Sequence, residues 1–266
     1  MDLTEIMNTL SVVTLSRNQG DFVTQAIDSV VSQNVAKEYF VYDVGSSDKS
    51  RSKISEFAEK ISVVLVDEDS GPSDGLNKMF RNATGTILYY LNSDDRVVDG
   101  ALRFAVNYFD KNPDCDVLHG SVRIINRFGE YVAVKPSMKF SLLGYALGYS
   151  VVYQQATFFR KEIFDRTGFN LVNRTCWDGE LIVDMALAGA KIHQTPKILG
   201  EFRIYPESIT GSGRLLEQIN KDHARIAHKI LGRDLRKSDI FMGWIIGKFS
   251  AILRRTFGLM RIRSLN

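Results

Sequence analysis

The sequence predicts an α/β fold, a mostly parallel sheet flanked by helices with a helical appendage at the C-terminus, and three observations predict it. Apolar runs of strand length alternate with segments of helical periodicity through the first third of the chain, the order that builds a parallel sheet. Ile87-Leu88-Tyr89-Tyr90-Leu91 is apolar without alternation, as a strand buried on both faces reads. Carboxylates fall just past strand ends, at Asp43 and at Asp94-Asp95, where open α/β sheets hold their ligands.

Each element follows from local pattern. Residues 10–15, LSVVTL, read as the first strand, and Ser16-Arg17-Asn18-Gln19-Gly20-Asp21 as its turn. Phe22, Val23, Ala26, Ile27, Val30 and Val31 then recur at three and four residue intervals, one face of a helix. Residues 39–42 give a second strand that ends in the polar turn DVGSSDKS, and a helix carrying Ile54, Phe57 and Ala58 follows. Residues 61–66 are the third strand, residues 74–82 a helix after the Gly/Pro/Ser turn, and residues 87–91 the fourth strand.

Past Asp95 the pattern changes. A helix over 101–109, a short strand at 117–119 and the hairpin VRIINRFGEYVAV, with Phe128-Gly129 near its turn, shift the β character to antiparallel. Residues 141–149 are a Gly/Leu/Tyr loop or short helix, 154–159 a strand and 161–166 a helix. Trp177-Asp178-Gly179-Glu180 opens a helix running to Gly189, with acids in its first turn as the helix dipole favours. Residues 192–199 and 202–205 are closing strands, and Gly211-Ser212-Gly213 marks a boundary. The expected organisation is a catalytic domain over 1–213, its two halves at about 10–96 and 97–210, and a basic amphipathic tail over 214–266.

Composition narrows the classes. With 266 residues and 44% hydrophobic content the chain can bury a large core. Cys115 and Cys176 form neither a metal knuckle nor a disulfide framework, which suits a reducing, cytoplasmic setting, and the acidic N-terminus is unlike a secretory signal. The four histidines show no metal-ligand spacing. The net charge of +3 is divided unevenly: residues 214–266 carry 12 Lys/Arg against 4 Asp/Glu, leaving 22 against 27 in the rest. An acidic body offers no groove for nucleic acid. The segment IFMGWIIGKFSAILRRTFGLMRIR has no uncharged run near the ~20 residues of a membrane span, but its basic and aromatic character suits the interface of an anionic bilayer. Packing of this helix on the catalytic domain or on a second subunit is the alternative.

The motifs VVTLSRNQ, YDVGSSDKS, DSGPSDGLNKMFRNATG, LNSDD, QQATFFRKEIFDRTGFN, WDGELIVDMALAGAKI and GEFRIYPESIT occur in that order. Together, from about residue 10 to residue 210, the chain resembles the inverting GT-A glycosyltransferases of family 2, in the LNSDD-type subgroup. The resemblance implies a Rossmann-like fold and transfer of a sugar from a nucleotide-diphosphate donor, UDP-linked or dTDP-linked, to a hydroxyl of a glycan acceptor, lipid-linked and met at the inner membrane face. Asp43 is then expected to bond the donor's base, with Thr14 and Ser16 lining the pocket, Asp74 and Lys78 near ribose and phosphates, and Asp94 on the nucleotide side. Asp95 is expected to hold Mn²⁺ or Mg²⁺, which hard oxygen ligands suit. Asp178 is the expected catalytic base, and Gln155, Trp177, Glu180 and Arg203 acceptor or phosphate contacts.

Each residue also has an ordinary reading: Asp43 as a turn acid, Asn-Ser-Asp-Asp as an Asx-rich turn, Asp178 as a helix cap, Trp177 as core. Tyr205 stands where the family segment usually has a histidine. A sugar-nucleotide nucleotidyltransferase is a rival on a similar fold, but SRNQGD has only one glycine where a Gly-rich loop is needed. A basic-tailed, non-enzymatic binder of anionic lipid or nucleic acid is the other.

Overall fold

The computed structural model describes residues 8–35, 37–66 and 68–248. The N-terminal residues 1–7 and the part of the tail from 249 onward, on which two of the readings above rest, lie outside the described residues.

The first half alternates strand and helix: β1 (Leu10–Ser16), α1 (Val23–Val31), β2 (Lys37–Val44), α2 (Ser50–Ser55), β3 (Ser62–Val66), α3 (Pro72–Asn82) and β4 (Ile87–Asn92). Proline at the first position of α3 loses no bond, since that N–H has no partner within a helix, and Gly71 before it takes φ +111°. β2, β1 and β4 pair in parallel with β3 outside β2, so Ser16 lies beside Asp43 and Leu15 beside Asn92. The carboxyl ends of these strands thus open on one edge of the sheet.

The second half continues with β5 (Arg96–Val97), α4 (Ala101–Lys111), β6 (Val117–Ile125), β7 (Tyr131–Lys135), α5 (Leu142–Ala146), a 3₁₀ turn (Gln154–Ala156), β8 (Thr157–Arg160), α6 (Lys161–Thr167), α7 (Trp177–Leu187), β9 (Ile192–Arg203), α8 (Ile209–Ser212) and α9 (Leu216–Leu231). β8 lies antiparallel between β4 and β6, and β6 pairs in parallel with β9 and antiparallel with the edge strand β7, extending the sheet to nine strands. The two-residue β5 has no signal in sequence and exists through its pairing with β9.

Two expectations about breaks are corrected. The closing segments at 192–199 and 202–205 form one strand, β9, which ends at Arg203. Gly200 inside it is a point of close approach, where an added Cβ would fall 2.6 Å from the main-chain carbon of Gln155. Likewise β6 runs unbroken past Gly120, although the register shifts there, and a Cβ on Gly120 would fall 2.7 Å from the Lys197 carbonyl oxygen.

Core forms on both sheet faces. Val12, Tyr89 and Leu91 pack with α1 and α4 through Ala26, Ile27, Leu102 and Phe109, while Val13, Leu88 and Tyr90 pack with α3, α6 and α7 through Phe80, Phe164 and Leu181. This is why the fourth strand reads as continuous apolar sequence: each face of it meets a different helix layer. The region placed in the tail is tied to the sheet-bearing body by α9, whose Arg225 and Lys229 pair with Glu180 of α7. Residues 237–248 are helical, and Gly243 lets this helix approach the Leu147 backbone, a Cβ there falling 3.0 Å from the carbonyl carbon.

Candidate active site

At the end of β2, Asp43 is fully buried, its Oδ1 accepting from Arg51 Nε at 2.9 Å and its Oδ2 from Ser46 Oγ at 2.6 Å. Across the strand pair, Ser16 Oγ is buried with no hydrogen-bond partner. Thr14 is buried beside it, its hydroxyl bonded to that of Tyr39 at 2.9 Å. A second buried hydroxyl without a partner is Ser73 in the first turn of α3. Buried hydroxyls are satisfied as a rule, so two orphans at the carboxyl edge point to a ligand with polar atoms there. Ser73 was hidden in sequence as a turn residue of GPSDG. Asp74 accepts from the Ser70 N–H and from Lys78 Nζ at 2.7 Å, which anchors the entry to α3 and leaves the Lys78 chain exposed.

At the end of β4, Asn92-Ser93-Asp94-Asp95 turns sharply, with Asp95 N–H donating to the Asn92 carbonyl. Asp95 is 2% exposed, and both of its oxygens are taken: Oδ1 by the Arg203 N–H at 2.8 Å and Oδ2 by Gln155 Nε2 at 2.8 Å. Asp94 is only partly buried, and its carboxylate accepts from its own N–H and from the Tyr205 hydroxyl at 3.3 Å. The roles expected of the pair are therefore reversed in the geometry: Asp95 braces the turn, and Asp94 presents a carboxylate outward. Burial pushes the Asp95 carboxyl well above its ordinary range, with the charge of Asp94 adding to it, and burial raises Asp94 too. Two adjacent, strained carboxylates suit a cation. The described residues hold no cluster of three or more His, Cys, Asp or Glu able to chelate one alone, so the set fits a cation shared with substrate oxygens.

Arg203 does not face a ligand. It is 1% exposed; Nε donates to the Asp94 carbonyl, Nη1 to the carbonyls of Asn126 and Arg127, and Nη2 to Gln25 Oε1, with the guanidinium 4.8 Å from the Phe22 ring centre. Its donors fasten the acidic turn to α1 and to the β6–β7 hairpin. Tyr205, which departs from the family segment, reaches the same turn through its hydroxyl.

Asp178 stands in the first turn of α7 and lines a small cavity with Tyr90, Val152, Gln154, Thr157, Phe159, Leu181 and Ile182. Burial raises its carboxyl above the usual range, against lowering by the N–H groups of Gly179 and of Asp178 itself. Tyr90 lies two residues before Asn92, and Gln154 bonds both the Tyr90 carbonyl and Asn92, so the cavity and the acidic turn meet at one strand end. Glu180, by contrast, has 0% exposure and accepts from Asn170, Asn173, Arg225 and Lys229; its position one turn-face away from Asp178 spends it on holding α9. Trp177 packs against Tyr90 and Phe169 with ring centres 5.5 and 5.7 Å away, a mainly structural setting. Gln155 serves Asp95. Buried His119 has neither ring nitrogen bonded, and burial lowers it to about 4, so it is neutral.

Residues 11–169 match the family described as Glycosyl transferase family 2. The UDP-Glc:alpha-D-GlcNAc-diphosphoundecaprenol beta-1,3-glucosyltransferase WfgD of Escherichia coli is 30% identical over 129 residues, 47% of this chain and 51% of that protein. The poly-beta-1,6-N-acetyl-D-glucosamine synthase of Staphylococcus epidermidis is 26% identical over 237 residues, 82% of this chain and 54% of its own length. The chain thus spans about half the length of these curated relatives. Among solved structures, S. aureus TarS 1-349 in complex with UDP-GlcNAc superposes with a TM-score of 0.67 at 20% identity, covering 86% of this chain and 68% of that one. The mannosyltransferase PcManGT from Pyrobaculum calidifontis, in complex with GDP-Man and Mn2+, gives 0.64 at 16% identity, covering 88% and 68%. At these identities the likeness is one of fold, and that fold is GT-A.

Proposed function

The chain belongs to glycosyl transferase family 2, and from that premise we propose that it moves a sugar from a nucleotide-diphosphate donor, UDP-linked in preference to dTDP-linked, onto a hydroxyl of a glycan acceptor with inversion. The observation that carries this reading is that the cavity lined by Asp178 shares Tyr90 and Gln154 with the carboxyl end of β4, where Gln154 also bonds Asn92 and the partly exposed Asp94 follows two residues on.

The edge between β1 and β2 receives the nucleotide, with Ser16 and Ser73 offering free hydroxyls and Asp43 the base-facing acid once Ser46 or Arg51 yields. Asp94 holds the diphosphate side together with a divalent cation, Mn²⁺ or Mg²⁺, and Asp95 sets the turn's shape. When bound, that cation supplies Lewis-acid stabilisation of the charge on the leaving diphosphate. Asp178 accepts the proton of the acceptor hydroxyl as its oxygen bonds to the anomeric carbon; the bond from that carbon to the diphosphate breaks, and its electron pair leaves with the nucleotide. A carboxylate raised by burial is a stronger base, which suits that task.

The relatives' names support a lipid-linked or polymeric glycan as acceptor: an undecaprenol diphosphate in one, a poly-N-acetylglucosamine chain in the other. No helix among the described residues is long and apolar enough to cross a membrane. The helix at 237–248 exposes Ile240, Phe241, Met242 and Trp244, with Lys248 Nζ 4.1 Å over the Trp244 ring. An apolar face edged by a cation supports peripheral docking on the inner membrane face.

Titration calorimetry with UDP, dTDP and GDP, each with and without Mn²⁺, tests the reading. UDP is expected to bind in a metal-dependent way, and Asp94→Ala to abolish the metal's contribution without unfolding the chain. Absent or metal-indifferent nucleotide binding overturns the proposal.

A further inference from the structure

One polar group beside the base remains unassigned. α5 is held in place from both sides: Ser141 Oγ caps it by accepting from the Gly144 N–H at 2.9 Å, and the Tyr145 carbonyl lies 3.1 Å from His223 Nε2 of α9. The Tyr145 and His223 rings pack at a 37° tilt with centres 5.9 Å apart. The Tyr145 ring extends over the first turn of α7, where Gly179 makes room for it. A Cβ on Gly179 would collide with the Tyr145 hydroxyl and would fall 2.9 Å from two ring carbons. The hydroxyl therefore lies against the backbone immediately after Asp178. No described residue hydrogen-bonds it, and the next acid along, Glu180, is saturated by its own four donors. Burial, and then the nearby charge of Asp178, push the phenol well above its ordinary value, so it stays a neutral O–H at any working pH.

An O–H beside the base that no described side chain or backbone group occupies is open to a partner that arrives with the substrate. A general base must lie within hydrogen-bond reach of the hydroxyl it deprotonates. A sugar hydroxyl at that place brings the oxygens on its neighbouring carbons with it. We propose that Tyr145 is an acceptor-positioning residue, its hydroxyl bonding the acceptor oxygen next to the attacking one, with Gly179 the space that admits it. This rests on Asp178 being the base. It also makes α5 a specificity element: an acceptor lacking that neighbouring oxygen forfeits the bond to the phenol.

The test compares Tyr145→Phe with the unaltered protein on a soluble glycan acceptor. Acceptor kcat/KM is expected to fall about 10-fold, the loss of one hydrogen bond, with most of the change in the acceptor KM. Hydrolysis of the nucleotide-sugar by water, UDP affinity and the melting temperature are expected to stay at the starting values. On a deoxy acceptor without the neighbouring oxygen, the two proteins are expected to perform equally. Gly179→Ala, which displaces the ring, is expected to reproduce the acceptor defect. Normal acceptor kinetics in Tyr145→Phe overturn the proposal, as does an equal loss in transfer and hydrolysis, which would mark a purely structural role. Asp178→Asn run in parallel separates the two claims: retained transfer there removes the base assignment, whereas a dead Asp178→Asn beside a normal Tyr145→Phe removes only the tyrosine.

Discussion

Asp178 and Glu180 are two residues apart on one helix, and their surroundings drive them in opposite directions. Burial of Asp178 against an apolar cavity favours the protonated form. The charged form that the proposed base role requires is then unwelcome in the fold, because a carboxylate with a raised pKa loses stability as pH climbs from its unfolded value through its folded one. Asp178→Asn is therefore expected to abolish transfer, to leave UDP affinity nearly intact and to raise the melting temperature at neutral pH; a variant that turns over normally reassigns the base. The acid limb of kcat is expected above the ordinary carboxylate value of 3.8. Burial pushes Glu180 up as well, but hydrogen bonds from Arg225, Lys229, Asn173 and Asn170 outweigh it and hold the group at about 2, below its ordinary 4.5. With a lowered folded value, its contribution is complete above pH 4.5 and fades as pH falls towards 2, roughly 2 to 3 kcal/mol in all. Acid unfolding followed by circular dichroism should show Glu180→Gln destabilised at neutral pH and level with the unaltered chain near pH 2. A constant gap across that window rules out the ion-pair account. Neither direction is legible in WDGE. The motif shows acids at a helix start, whereas the donors to Glu180 come from α9, 45 and 49 residues further on.

At the scale of elements, periodicity located most strands and helices because each buries a face, and glycine was the residue it misjudged. The expected strands end at His119 and Leu199, each just before a glycine, yet Gly120 and Gly200 lie inside continuous strands, where neighbouring backbone leaves no room for a side chain. The two meanings of glycine, freedom to turn and permission to touch, look the same in one sequence. Gly200→Ala separates them. Because an added methyl would press on the backbone of Gln155, whose side-chain amide donates to Asp95, a loss of about 1 to 3 kcal/mol in stability is expected, with metal-dependent UDP binding weakened in parallel. Unchanged denaturant midpoints would show that the strands can part at no cost. The same limit hid the turn's fastenings. LNSDD announces carboxylates at a strand end, but which one faces outward depends on Arg203 and Gln155, and their distance in sequence conceals the contact.

For the whole molecule, the donor half was legible because its contacts are local: strand, turn, helix, repeated, with orphan hydroxyls and acids gathered where parallel strands end. The half proposed to take the acceptor is assembled from α5, α7, α9 and the helix at 237–248, and of these only α7 carries a motif, WDGE, while its partners lie tens of residues away. That last helix rests on the Leu147 backbone close to the Tyr145 loop while turning Phe241 and Trp244 to solvent. Removal of residues 240–266 is expected to lower sedimentation with vesicles rich in anionic lipid at least tenfold, by loss of both apolar and basic contacts. Turnover of a short soluble acceptor is expected to persist. Vesicle binding that survives the truncation assigns the helix to packing alone. The reach of Arg203 has one further consequence, for the time at which this protein becomes competent. The acidic turn is complete in sequence at Asp95, but its clamp is 108 residues later, near the end of the sheet. As the chain is synthesised, the first four strands can assemble into a nucleotide cradle well before Arg203 emerges, while the turn above it lacks its shape. The shape of the acidic turn thus arrives late, so that a chain cut short before Arg203 lacks the donor that holds Asp95 in place.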